Sequence, residues 1–190
     1  MDKKIINLII CVLICVIVIF GLIISQLVMD KDVKTTPETE NKLVETVIDD
    51  PSGEDGLKIH ESENGYTVKY PDSMQAKQMA KAIDFILDDE KSGSSLNIIT
   101  AKNDGSLKTM TREEFEYSLM SDAVLHSYDK VDLNGVDATV AKFTYNKNNV
   151  TQTIIIQEDY GYNITVTEST DISNEMSRIF DNVVQSFTLN

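Results

Sequence analysis

A continuous apolar segment near the N-terminus most constrains this chain. Residues 8–24 read LIICVLICVIVIFGLII, 17 positions without a charged side chain. Residues 5–29 together supply the roughly 20 residues that cross a hydrocarbon core of about 30 Å. In lipid the backbone polar groups must be bonded within the segment, so we expect it to be helical. The sequence therefore predicts one transmembrane helix, which contacts the lipid bilayer through residues 5–29.

This segment fits a cleaved secretory signal or a lipoprotein signal less well. A cleaved secretory signal has an apolar stretch of about 7–15 residues and small residues at its cleavage site, whereas this stretch is longer and no such pair follows it. A lipoprotein signal has a small residue before its cysteine, whereas isoleucine precedes both Cys11 and Cys15. We therefore interpret residues 1–29 as a retained signal anchor.

Basic residues flank the anchor on both sides, so the positive-inside rule alone gives nearly a tie. Lys3 and Lys4 precede the segment, and three lysines lie in the stretch 30–55 that follows it. The short tail before the segment is similar to that of a signal anchor whose N-terminus stays in the cytoplasm. We expect a single-pass protein of the cell membrane with its C-terminal part outside the cytoplasm.

Charge is distributed unevenly along the chain, whose net charge is −14. Residues 30–55 carry 9 acids and 3 lysines, and residues 56–190 carry 21 acids and 12 bases. Acidic parts of this kind disfavour phosphate-driven binding, so we expect no nucleic acid among the partners. Both cysteines lie in the anchor, so residues 56–190 can form no internal disulfide and no thiolate metal site.

Composition divides the rest of the chain into a linker and one domain. Residues 30–55 are dominated by acids and threonine, include two prolines, and hold too few apolar residues to offset their ordering entropy. We predict an acidic flexible linker there. The 135 residues at 56–190 are enough for one ordinary hydrophobic core.

Apolar and polar residues alternate over most of residues 56–190, with turn residues between the alternating runs. Asn134-Gly135 is typical of a two-residue hairpin turn, and His60, before the first strand, is expected to be exposed. The face of one run is expected to hold Ile83, Phe85 and Leu87. The predicted strands are 66–70, 82–87, 96–101, 127–133, 136–145, 150–158 and 162–167.

Two helices are predicted beside these strands. Thr111-Arg112-Glu113-Glu114 matches a capping box, which begins a helix. From Asp171 onward, apolar residues recur at three- and four-residue steps, the period of one buried helix face. The prediction is an α+β fold, an antiparallel β-sheet meander covered by helices and preceded by one transmembrane helix.

The domain resembles the PsbP-type fold, an α-β-α sandwich whose bacterial relatives are often carried on lipid or helical anchors. The carrying features are Gly65–Asp72, the helix at 111–119, the meander around Leu133–Ala138 and the closing helix at 172–187. This resemblance implies a binding or assembly role, because family members stabilise the photosynthetic oxygen-evolving complex or bind the GTPase Ran. No residue of a known family site matches a position of this sequence, and a fold alone does not fix a function.

No residue pattern in the sequence identifies a catalytic, cofactor or metal site. His60 and His126 lack metal-ligand spacing, and Ser127-Tyr128-Asp129-Lys130 matches SxxK without its companion motifs, on a predicted strand. Asp88-Asp89-Glu90 has the chemistry of a calcium ligand but reads more simply as a solvated turn. Asn149 and Asn163 begin glycosylation sequons by pattern alone. We therefore expect no enzyme and no cofactor.

Three hypotheses of function follow. The first is a membrane-anchored, non-catalytic PsbP-like domain that binds an unidentified envelope protein or acts in assembly at the cell envelope. The second is a ligand- or metal-binding sensor, or a hydrolase, whose site is formed by residues distant in sequence. In the third, the anchor itself binds the partner through a helix–helix contact near Gly21.

Overall fold

The computed structural model describes residues 45–51, 53, 55–79 and 83–190. The predicted anchor at 1–29 and most of the predicted linker at 30–55 lie outside these residues. Among the described residues, no helix is long and apolar enough to cross a membrane.

Eleven strands are described in this part of the chain, and they form two antiparallel sheets. The larger sheet has eight strands in the order β1-β4-β5-β6-β10-β9-β8-β7, and the smaller has the order β11-β3-β2. The predicted strands and their meander are confirmed, which gives the mainly antiparallel α+β fold expected from the sequence. The strands are β1 (Glu45–Val47), β2 (Leu57–Ser62), β3 (Tyr66–Pro71), β4 (Lys77–Met79), β5 (Ile83–Asp89), β6 (Ser94–Lys102), β7 (Val124–Leu133), β8 (Val136–Tyr145), β9 (Asn148–Ile156), β10 (Tyr160–Glu168) and β11 (Thr188–Leu189).

The predicted turn at Asn134-Gly135 joins β7 to β8. Both residues have positive φ, 55° at Asn134 and 85° at Gly135, as a type I′ turn requires. Leu133 pairs with Val136 directly across it, and the register set there holds along β7 as far as Ser127, beyond which it shifts by one residue.

Two short helices are described, α1 (Arg112–Ser118) and α2 (Asn174–Gln185). The capping box predicted for α1 is present: Thr111 Oγ1 accepts from the amide of Glu114, whose carboxylate accepts from the amide of Thr111. Helix α1 and its flanking residues, 110–121, belong to a different compact unit from the remaining described residues. Within α1, only Phe115 is buried.

Helix α2 supplies the predicted apolar face to the hydrophobic core. It begins after Ser173, whose hydroxyl accepts from the amide of Met176, so it starts three residues after the expected Asp171. Phe180 and Val183 are buried on its inner face, and Phe187 is buried just beyond its end. Helix α2 contacts β3 and β10, which places both sheets around one hydrophobic core.

Four strands, β1, β2, β4 and β11, were not predicted from the sequence, and two of them show why. Strand β2 was not predicted because its inward positions hold polar residues, His60 and Ser62, while Ile59 faces outward. Strand β1 lies within residues 30–55, predicted as a flexible linker. It pairs with β4, and the amide of Ile48 donates to the oxygen of Ala76 at 2.9 Å. These backbone hydrogen bonds hold residues that composition alone predicts to be flexible. The described fold therefore begins before residue 56.

Candidate functional site

The most concentrated polar chemistry in the described fold is a buried carboxylate on β5. Asp84 is only 5% exposed. Its Oδ2 accepts hydrogen bonds from the hydroxyl of Ser62 and from Nδ2 of Asn64, the latter at 2.7 Å, and its Oδ1 accepts from the hydroxyl of Tyr66 at 2.9 Å. The β2–β3 hairpin therefore supplies three donors to one carboxylate, as a buried acid requires.

A bulge in β5 brings Asp84 to the core. The register of β5 against β6 shifts between Ile83 and Phe85, so Ile83 pairs with Ile99 whereas Phe85 pairs with Ile98. Asp84 and Phe85 consequently both reach the β2–β3 hairpin, Asp84 at the hydroxyl of Tyr66 and Phe85 at the ring of Tyr70. Successive residues of a regular strand would face opposite sides of the sheet. The prediction that Ile83 shares a face with Phe85 and Leu87 is therefore wrong, because it assumed unbroken alternation.

Two tyrosines complete this cluster. Burial, reinforced by the neighbouring charge of Asp84, raises the pKa of Tyr66 far above its ordinary value. The hydroxyl of Tyr162 donates to the carbonyl of Asn64 at 2.8 Å, and burial also raises the pKa of Tyr162. Both phenols therefore remain neutral donors, and the cluster ties β10 of the larger sheet to the β2–β3 hairpin.

A second polar cluster surrounds His60, which is 9% exposed. Oδ2 of Asp50 lies 3.1 Å from Nδ1 of His60 and accepts a hydrogen bond of 3.1 Å from the hydroxyl of Tyr70. The ring of His60 packs against that of Phe85, with centroids 5.1 Å apart, and its buried Nε2 finds no hydrogen-bond partner among the described residues. The prediction that His60 is exposed is wrong, because β2 turns it toward the core.

These clusters bring serine, histidine and aspartate into one region without forming a catalytic chain. Ser62 bonds directly to Asp84, while His60 bonds to Asp50, so each group has its own carboxylate. A serine nucleophile needs a base that takes its proton and a third group that orients that base. The observed bonds instead join β2, β3 and β5 and anchor the segment that follows β1.

Two of the three acidic side chains considered as a calcium site are bonded to other groups of the fold. Asp88 accepts from Nζ of Lys77 at 3.2 Å, and Asp89 accepts from the hydroxyl of Ser92 at 2.5 Å and from the amide of Lys91 at 3.3 Å. Glu90 is exposed. Across the described ranges, no three histidine, cysteine, aspartate or glutamate side chains are grouped so that they could hold a metal ion.

The remaining sequence motifs lie apart from the two buried clusters. His126 is exposed and its Nε2 contacts the hydroxyl of Thr144 on the neighbouring strand. Ser127 and Lys130 both lie on β7, the strand predicted for the SxxK match. Of the two sequon asparagines, Asn149 is exposed near the start of β9, and Asn163 is half-buried in β10.

Solved structures show what this arrangement of sheets is similar to. The solution structure of cyanobacterial PsbP (CyanoP) from Synechocystis sp. PCC 6803 matches with a TM-score of 0.57 at 16% identity, covering 73% of this chain and 95% of that chain. The domain has the PsbP-type fold. A crystal structure from Bacteroides thetaiotaomicron VPI-5482 is more distant, with a TM-score of 0.47 at 14% identity, covering 71% of this chain and 49% of that chain.

The PsbP-type fold confirms the resemblance inferred from the opening strand, the Asn134-Gly135 hairpin and the closing helix. No family model matches this sequence, and no curated protein does. At 16% identity the likeness to CyanoP is one of fold. Function must therefore be argued from the residues of this chain.

Proposed function

We propose that this chain is a single-pass membrane protein whose PsbP-type domain, held outside the cytoplasm, is a non-catalytic module for binding or assembling proteins at the cell envelope. The apolar run at residues 8–24 supports the anchor, because its length fits a bilayer core. The short basic N-terminal tail supports the orientation. In this reading the lipid bilayer is contacted through residues 5–29, and the partner is an envelope protein.

One observation carries the non-catalytic part of the proposal. The acids of the two polar clusters, the buried Asp84 and the half-buried Asp50, are bonded to donors of the fold itself. Asp84 is bonded to Ser62, Asn64 and Tyr66, and Asp50 to His60 and Tyr70. Catalytic acids and bases need a reacting group within hydrogen-bond reach. Carboxylates that are bonded to their own fold in this way serve packing and alignment, and we infer that function resides on the surface of the domain.

Membrane placement is tested with the full-length chain. A cysteine introduced at the exposed Lys142, in a chain with Cys11→Ser and Cys15→Ser, should react with a membrane-impermeant maleimide in intact cells. The protein should also stay in the membrane pellet after alkaline carbonate extraction. Labelling only after permeabilisation would place the domain in the cytoplasm and contradict the proposed orientation. Release of the protein into the supernatant would contradict a transmembrane anchor.

The interaction role is tested by cross-linking intact cells that carry the tagged full-length chain. The control retains residues 1–44 and lacks the rest, because β1 already belongs to the described fold. One stoichiometric envelope protein, captured by the full chain and lost in the control, is the expected result. Equal capture by the control would assign binding to the anchor or linker, and no captured protein would exclude the interaction role.

A further inference from the structure

The edge of the larger sheet is formed by a long and largely exposed strand. Strand β7 is ten residues long and pairs with β8 on one side. No strand in the described part of the chain pairs with its other side. Residues 129–132 of β7 are all exposed, and Val131, at 37% exposure, is one of the more exposed large apolar residues described. Exposed strand edges are templates for pairing with another chain.

The turn at Asn134-Gly135 determines which backbone groups of β7 point outward. In a two-residue hairpin, the residues flanking the turn form a hydrogen-bonded pair, here Leu133 and Val136. Backbone groups point alternately to the two sides of a strand, so those of Val131 also point toward β8. The amides and carbonyls of Lys130 and Asp132 therefore point away from the sheet, toward any strand that adds to this edge.

The charges of these two outward-pointing residues select one register for a second copy of β7. Consider an antiparallel pair of β7 strands related by a two-fold axis perpendicular to the sheet. A residue whose backbone groups point to the other copy then lies opposite a residue whose backbone groups also point across the pair. If the axis passes Val131, Lys130 lies opposite Asp132 of the second copy, and the reverse. Moving the axis to Lys130 or to Asp132 would place like charges opposite each other, which is destabilising.

We propose that two copies of this chain associate by antiparallel pairing of their β7 strands, centred on Val131. The pair joins the two larger sheets into one continuous sheet. A Lys130–Asp132 pair lies on each side of the axis, and the two Val131 side chains are in contact on the opposite face of the sheet. About five residues from each copy take part, fewer than in interfaces of standard size, so the association is transient. It uses only residues of β7 and is independent of the membrane placement proposed above.

Disulfide trapping tests the pairing in the full-length chain. Val131→Cys, with Cys11→Ser and Cys15→Ser, places two cysteines at a non-hydrogen-bonded antiparallel pair, where Cα atoms lie about 4.5 Å apart, within the range of disulfides. The matched control is Lys142→Cys in the same background, an exposed position on β8, away from the edge. Mild oxidation should give a disulfide dimer with Val131→Cys only. Equal dimer yields would overturn the proposal.

Charge reversal tests the register. Lys130→Asp should lower the dimer yield of Val131→Cys roughly tenfold, because it replaces two attractive pairs with two repulsive ones. Asp132→Lys should do the same, and mixing the two variants should restore the yield, because the mixed dimer regains both opposite-charge pairs. Asp132 also accepts from the amide of Gly135 at 2.8 Å, so Asp132→Asn controls for its role in the turn. If charge reversal leaves the dimer yield of Val131→Cys unchanged, this register is excluded.

Discussion

The hydroxyl of Tyr66 donates a hydrogen bond of 2.9 Å to the buried carboxylate of Asp84. The two residues come from different sheets, Tyr66 from β3 and Asp84 from β5. The bond therefore fixes the smaller sheet against the larger one at a point where both side chains are withdrawn from water. A polar bond of this kind specifies one alignment, because a displaced sheet would leave the acid without its donors.

Removing the acid should cost more than removing one of its donors. Asp84→Ala leaves the buried hydroxyls of Ser62 and Tyr66 and the half-buried amide of Asn64 without their acceptor. It should lower the free energy of unfolding by about 3 kcal/mol or more, whereas Tyr66→Phe should lower it by about 1–2 kcal/mol. Urea denaturation followed by the near-ultraviolet circular dichroism of the buried tyrosines measures both. The matched control is Asp88→Ala on the same strand, which breaks the more exposed pair with Lys77 and should cost less than about 1 kcal/mol. A loss equal to that of Asp84→Ala would contradict the prediction.

Alkaline pH should destabilise the fold through its buried tyrosines. Burial raises the pKa of Tyr66, Tyr70 and Tyr162 above the ordinary value. The unfolded chain therefore loses these protons near pH 10 while the folded chain retains them, so stability is present below about pH 10 and falls as the pH rises further. Denaturation curves between pH 8 and 11 measure this fall, with the absorbance of tyrosinate as a second readout. Tyr66→Phe should make the fall shallower, and an unchanged slope would exclude Tyr66 as a contributor.

Local sequence signals predicted much of this fold. The capping box at Thr111 and Glu114, the Asn134-Gly135 turn and the apolar face of α2 each depend on residues close in sequence. Such signals act through short-range geometry, so they can be recognised without knowing what the element packs against. The strands of the meander were predicted for the same reason, since their alternation is nearly unbroken.

The two buried clusters could not be predicted in the same way. In β2 the inward residues are His60 and Ser62, so hydrophobic alternation gives the wrong face. Asp84 reaches the core only because of the bulge beside it, and its partners lie 18 to 22 residues earlier in the chain. Long-range complementarity of polar groups leaves no periodic pattern in a single sequence. The acid between Ile83 and Phe85 was the one available signal, and regular alternation assigned it to solvent.

Asp50 should control how firmly the segment after β1 is held to the domain. Asp50 follows Ile48 by two residues, and the amide of Ile48 bonds to Ala76. The carboxylate of Asp50 bonds to His60 and to Tyr70. Asp50→Ala should accelerate hydrogen exchange at the Ile48 amide by roughly tenfold, the equivalent of about 1.4 kcal/mol. Exchange read by mass spectrometry on the full-length protein provides the measurement. Asp49→Ala changes the exposed neighbour and should leave the rate unchanged, so equal acceleration by both variants would exclude a specific role for Asp50.

Asn134 should stabilise the protein beyond its role in the turn. Its Nδ2 donates to the carbonyls of Gln185 at 2.7 Å and Phe187 at 2.9 Å, so the β7–β8 hairpin holds the end of α2. Asn134→Gly keeps the positive φ of the turn but loses both bonds, and should lower the free energy of unfolding by about 1–2 kcal/mol. Asn146→Gly is the matched control, because Asn146 has a φ of 49° in the next hairpin turn, and it should cost only a few tenths of a kcal/mol. Denaturation of both variants under one condition separates the effects. Equal losses would show that the turn conformation, and not the contact with α2, accounts for the contribution of Asn134.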